Sequence, residues 1–297
     1  MIRAYAGGGR RPGTGGRATR SHPGRWLWWG GRVTDLNPQT LLTAYDAHLR
    51  ARVPDPVPDG VTVERDGPLI RITGLDHGGF LTYRSLDGLT GAALDELIAR
   101  QRDLFAERGE TVEWKLHGHD EPADLAQRLE AAGFRPEEQE TVVVGPVAAL
   151  AATMPVLPEG VRLREVTNRP DLDRISRLKE AVHADTRDWL AVGLERELAA
   201  DPQSITVVVA EAGDDVVSAG WVRYVQGTGF ATLWGGSTLP AWRQRGIYRA
   251  LVTYRARLAD ARGFTMLQVD ASDESRPILQ RLGFVAVTTT TPYIFTP

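Results

Sequence analysis

Arg243-Gln244-Arg245-Gly246-Ile247-Tyr248-Arg249 sets three cations around one glycine where an amphipathic pattern begins. From there Ile247, Ala250, Leu251, Tyr254, Leu258 and Ala261 recur at the spacing of one helix face. The turn therefore opens a helix, and the first N–H groups of a helix have no partner inside it. They point at one spot with the positive end of the helix dipole, and the arginines add charge. Gly246 leaves backbone free to approach a ligand closely. This is the chemistry of an anion site, and a phosphate-bearing ligand is the expectation.

The elements that must position this turn read clearly on both sides. Residues 231–238 are rich in β-formers and end before Pro240, which cannot donate to a ladder. Gly263 closes the helix, and 264–270 form the next strand. Ser272 or Asp273 caps a short helix containing Ile278, Leu279 and Leu282, Gly283 stops it, and 285–295 form a last strand.

Pro240, then Arg243-x-x-Gly246-x-x, then helix, strand, short helix and Leu282-Gly283-Phe284, together resemble the GNAT superfamily of acyl-CoA N-acyltransferases over about 161–295. The resemblance implies that acetyl-CoA or another short acyl-CoA is the co-substrate, with no metal, and that an amine of a small molecule or peptide is the acceptor. It implies a cofactor site of Thr238, Leu239, Arg243, Gln244, Arg245, Gly246, Ile247, Tyr248, Arg249 and Ser272. Backbone at Thr238 and Leu239 would hold the pantetheine arm and polarise the thioester carbonyl. Asp270 would stand beside the thioester as a candidate base, or be a solvated strand-end residue. Three positions depart from the family pattern, one being Ser272 where an asparagine is frequent. Tyr248 replaces a small residue, and Leu279 stands where many members carry a proton-donating tyrosine. A non-catalytic acyl-CoA sensor or scaffold is therefore the alternative.

The middle of the chain repeats the pattern of its end. Leu125-Ala-Gln-Arg-Leu-Glu-Ala-Ala-Gly-Phe134 parallels Ile278-Leu-Gln-Arg-Leu-Gly-Phe284. A helix capped by Asp35 or Asn37 is expected to run through 52, with further helices at 90–108 and 123–132, and strands at 61–64, 69–73, 80–84, 111–116 and 141–144. Where the loop should fall, Asp87-Gly-Leu-Thr-Gly91 has no cationic cluster. The expectation is an α/β (α+β) protein of tandem GNAT-like mixed-sheet domains with helices on both faces. A degenerate domain spans 33–145, a linker 146–160 and a catalytic domain 161–297, whose helices are expected at 170–183 and 189–200.

Two further groups have competing readings. His117-Gly-His119-Asp120-Glu121 puts two imidazoles on one face of an extended segment, as a metal would need. The repeat aligns it with Ser272-Asp273-Glu274, so helix capping is the preferred account. Asp185, Asp188 and Trp189, with Trp221 and Trp234, would suit a cationic amine, or the tryptophans are core.

With 297 residues, 42% hydrophobic and 25% charged, the chain has ordinary globular composition. A net charge of −3 gives no general attraction to nucleic acid or anionic membrane. There is no cysteine, so no disulfide and no thiolate chemistry; a cytoplasmic location is expected. No run approaches the ~18 apolar residues of a membrane span. Residues 1–32 are glycine- and arginine-rich and are expected to be disordered: either a leader from a mistaken start site, which is favoured, or a basic arm for a polyanion. Oligomeric state is not legible.

Overall fold

The chain is seen in a computed structural model that describes residues 36–55, 57–183 and 188–297. The expectation for 1–32 lies outside them. Asn37 starts α1 (Pro38–His48) by accepting the Gln39 N–H at 2.9 Å. A meander of β1 (Thr62–Asp66), β2 (Leu69–Thr73) and β3 (Gly79–Thr82) leads to α2 (Gly91–Arg108). Gly109, in the left-handed conformation, ends α2. β4 (Val112–His117), α3 (Leu125–Ala131), β5 (Arg135–Pro136) and β6 (Glu140–Pro146) follow, then α4 (Val147–Ala151).

The second half runs β7 (Val161–Val166), α5 (Arg169–His183), α6 (Asp188–Ala200), β8 (Ile205–Ala212), β9 (Asp215–Tyr224) and β10 (Phe230–Thr238). A 3₁₀ turn at Pro240–Trp242 leads to α7 (Ile247–Ala261), β11 (Met266–Ala271), α8 (Arg276–Arg281) and β12 (Val285–Phe295). The fold is mixed α/β, as expected. The cap of α8 falls later than expected: Ser275 is its N-cap, and the Ser272 carbonyl accepts the Ser275 and Arg276 N–H groups.

One sheet takes the order β1-β2-β3-β4-β12-β6-β11-β10-β9-β8-β7, with β5 beside β12. The final strands of the two halves are exchanged. β12 pairs with β4 of the first half, β6 pairs with β11 of the second, and β6 and β12 pair antiparallel with each other. The cores follow the exchange. Tyr293 of β12 packs with Leu94, Phe105, Trp114 and Leu129 of the first half. Val143, Val147 and Leu150 pack with Val252, Ala256, Leu267 and Phe284 of the second. Leu36–Pro297 is accordingly one compact unit.

The residues 117–121 do not cap α3, whose N-cap is Asp124; its carboxylate bonds Arg128 rather than the helix N–H groups. His117 and Asp120 instead join a network under α1. Tyr45 Oη and His117 Nε2 lie 3.0 Å apart. Asp120 accepts from Arg50, from Tyr83 Oη and from the His117 N–H. Burial and the nearby Arg50 push the His117 imidazole down to about 2, so it stays neutral. Among the described residues no group of three metal-ligating side chains assembles.

Candidate active site

β10 and β11 are parallel and paired only from Phe230 to Thr232 against Met266 to Gln268. Beyond Thr232 they part, and the edges of both strands face a gap. A bulge between Trp234 and Ser237 turns β10 away. It depends on Gly235, whose φ is +66° and where a Cβ would lie 1.9 Å from the Trp221 ring. Arg255 of α7 is buried beneath the bulge. It donates to the Trp221 and Trp234 carbonyls at 3.1 and 3.2 Å, satisfying oxygens the irregular ladder leaves free. Burial lowers its guanidinium to about 10.

The basic turn lies at one end of this gap. Gln244 and Gly246 have φ of +61° and +81°. The N–H groups from Gln244 to Arg249 have no backbone acceptor among the described residues, and they run from the loop into the first turn of α7. Free donors at a helix start are the arrangement an anion would need. Arg243 donates to the Thr238 carbonyl and spans the gap to Glu274, 3.5 Å away. Arg245 stacks on Trp242 at 4.8 Å. Arg249 is exposed, whereas Ile247 is buried in the core and offers only its backbone. Leu239 is committed: its N–H goes to Val217 and its carbonyl receives Trp242. Because strand donors alternate edges, the Thr238 N–H points away from β9 and toward the gap.

Tyr248 turns inward. A Cβ on Gly236 would lie 2.7 Å from its ring, and its hydroxyl faces Ser275 at the start of α8. Burial raises its phenol, which stays protonated at neutral pH. Ser272 lies opposite the turn, its hydroxyl accepting the Ser275 N–H. Leu279 is fully buried core.

On the α1 face, Asp270 accepts from Lys115 Nζ and, at 2.7 Å, from Gln268 Nε2. Burial would lower the Lys115 ammonium, but Asp270, Tyr45 and Glu113 outweigh it and raise it. Glu140 of β6 stands in the same cluster with no hydrogen-bond partner among the described residues. Burial and the Asp270 charge push its carboxyl up to about 7. Burial likewise raises Glu113. Sequence reasoning found Asp270 but missed Lys115, Glu113 and Glu140, which reach it only through the strand exchange.

Aromatic residues flank this face. Trp221 is core, but Trp189 and Trp234 are 37% and 42% exposed. His77, from the first half, stacks on Trp189 at 5.3 Å, and Arg223 lies over Trp234 at 5.0 Å. Asp185 and the side chain of Asp188 lie outside the described residues.

A split pair of strands beside a helix start with free N–H donors agrees with the acyltransferase resemblance of the sequence. Residues 170–284 match the Acetyltransferase (GNAT) family, so a GNAT domain occupies this part of the chain. A mycothiol acetyltransferase of Streptomyces bingchenggensis (strain BCW-1) is 29% identical over 202 residues, and the match covers 64% of this chain and 64% of that protein. A GCN5-related N-acetyltransferase from Kribbella flavida superposes with a TM-score of 0.64 at 15% identity, covering 88% of this chain and 96% of its own. A tandem GNAT protein from the clavulanic acid biosynthesis pathway gives 0.57 at 14% identity, covering 87% and 93%. These two structures share the fold.

Proposed function

We propose that the protein transfers an acetyl group from acetyl-CoA to an amine by direct attack in a ternary complex. The observation that carries this reading is the run of N–H groups from Gln244 to Arg249, beside the β10–β11 gap, that have no backbone acceptor among the described residues. The pyrophosphate would take those donors together with Arg243 and Arg245. The pantetheine arm would lie in the gap, pairing with the open edge at Thr238, and Ser272 would line its other side.

The first half, on this reading, is a degenerate GNAT-like unit without its own cofactor that walls the acceptor side. A primary amine would sit among Trp189, Trp234, Asp270 and Glu140. Lys115 and Gln268 occupy both oxygens of Asp270, whereas Glu140 is unengaged and titrates near neutral pH. Glu140 therefore suits proton removal better, with Asp270 holding Lys115 and the amine in place. Tyr248 is the candidate donor to the departing thiolate, since Leu279 has no proton to give. A small-molecule acceptor is in keeping with the mycothiol acetyltransferase relative, and a cytoplasmic location with a chain that lacks cysteine. Among the described residues, no helix is long and apolar enough to cross a membrane.

The test begins with thermal unfolding with and without acetyl-CoA. Ligand at ~100 times its dissociation constant adds about 2.7 kcal/mol. Thiol release is then followed across a panel of primary amines. A chain without cysteine gives no background to a thiol-reactive dye. Binding with release supports transfer. Binding without release with any amine favours the sensor, for which the buried Leu279 speaks. No binding overturns both.

A further inference from the structure

Beside the basic turn lies a feature that acyl transfer as such does not use. After α4 the chain crosses α7 in an extended, apolar run, Met154-Pro155-Val156-Leu157. Met154 is 65% exposed and Val156 75%, the two most exposed large hydrophobic residues among those described. The run approaches the basic turn: the Val156 carbonyl oxygen is 3.8 Å from where a Cβ on Gly246 would lie. Met154, Pro155, Leu157, Leu163, Tyr254 and Arg257 line an open pocket of about 290 Å³. The Tyr254 hydroxyl donates to Glu165 at 2.8 Å, which fixes its ring as one wall.

Arg257 is the polar end of this pocket. Among the described residues its guanidinium has no carboxylate partner, and its only hydrogen-bond contact is the Met154 thioether, a weak acceptor. Most other arginines close to the sheet are paired, as Arg164 is with Asp171 and Glu211. An apolar shelf that ends in an uncommitted guanidinium and adjoins a phosphate site matches a purine carrying a second phosphate. The helical rise puts the Arg257 Cα about 16 Å along α7 from Gly246. Its side chain tilts toward the helix start, which brings the guanidinium to roughly 10 Å from the turn. Two phosphates joined through one ribose lie closer together than this, and a hydrogen bond at each end makes up the difference.

We infer that the linker and Arg257 form the subsite for the adenosine 3′-phosphate of acyl-CoA. The adenine lies on Met154, Pro155 and Leu157 against Tyr254, and the Arg257 fork takes the 3′-phosphate. This rests on the acyl-CoA reading above. The segment joining the two halves is then part of the cofactor pocket, which accounts for its exposed apolar side chains.

The experiment is calorimetric titration of the full chain and of Arg257→Ala with acetyl-CoA and with acetyl-3′-dephospho-CoA. The wild type is expected to prefer acetyl-CoA by tenfold or more. Arg257→Ala is expected to bind both ligands equally, with its affinity for the dephospho form unchanged. Met154→Asp should weaken both ligands about equally. If the wild type binds both ligands alike, or Arg257→Ala keeps the preference, the subsite is overturned while the acyl-CoA reading stands. If neither ligand binds the wild type, the acyl-CoA reading falls and the subsite with it.

Discussion

Gly246→Asp separates the anion site from the fold that carries it. Position 246 is the N-cap of α7 with φ of +81°, and a Cβ there meets only the Val156 carbonyl at 3.8 Å. The substitution is strained but not crowded. Placing an L-residue in the left-handed region costs about 1–2 kcal/mol, at the low end for aspartate. An aspartate at a helix start returns about 0.5–1 kcal/mol through the dipole. Net stability should change by no more than about 1 kcal/mol. The effect on binding is much larger. A carboxylate ~5 Å from one pyrophosphate charge, at an effective dielectric of ~20, costs about 3 kcal/mol. Acetyl-CoA affinity should fall by about two orders of magnitude while the melting temperature of the free protein moves by only a few degrees. Gly246→Ala carries the strain without the charge and should lose less than tenfold. Calorimetric titration beside thermal unfolding reads both quantities. A folded Gly246→Asp protein that binds acetyl-CoA within threefold of wild type would refute the loop assignment.

Other expectations follow from the same geometry. Glu140 holds its proton more tightly in the folded than in the unfolded chain, so its contribution is best below its unfolded value near 4.5 and is lost as pH rises through about 7. Glu140→Gln should therefore raise stability at pH 8 by about 2 kcal/mol in denaturant melts, and should remove the acidic limb near pH 7 while lowering kcat by ~10²-fold or more. Glu211 behaves oppositely: the Arg164 hydrogen bonds, with Arg174 and Arg162 adding to them, hold its carboxyl down to about 2. The stability it provides is present above pH ~4.5 and is lost as pH falls toward 2, and Glu211→Gln should flatten the acid limb of a urea-midpoint profile. Gly235→Ala must hold a φ of +66° and displace the Trp221 ring, and should cost about 3 kcal/mol or more; an unchanged melting temperature would sink that account of the bulge. Tyr248→Phe should lower kcat without changing the KM for acetyl-CoA, and equal kcat would remove Tyr248 as proton donor.

The chain's order of elements was legible because each carries its own punctuation. Asn37 and Pro38 start α1, Gly263 and Gly283 stop α7 and α8, and the apolar spacing after Ile247 names the buried face of α7. The basic turn was legible for the same reason, being one contiguous run. The acceptor face was not. Lys115, Glu140 and Asp270 lie on three strands far apart in sequence, and only the exchange of β6 and β12 brings them together. The pair Gly235-Gly236 falls inside the strand expected at 231–238, but the bulge it makes there is not legible, because its cause is the Trp221 ring on a neighbouring strand. The cluster 117–121 resembled a cap by local alignment, and its partners Tyr45, Arg50 and Tyr83 could not be seen from that segment.

The exchange also sets a timetable for the ribosome. β4 has β3 on one side, and its other edge is filled only by β12, the last strand to be made. Until residues 285–295 emerge, the first half displays a bare strand edge and lacks Tyr293 in its core. At ordinary elongation rates that interval lasts roughly ten to thirty seconds. A nascent chain stalled after β11 would be a sticky one, and the newly made N-terminal half is where a chaperone that shields strand edges would be needed.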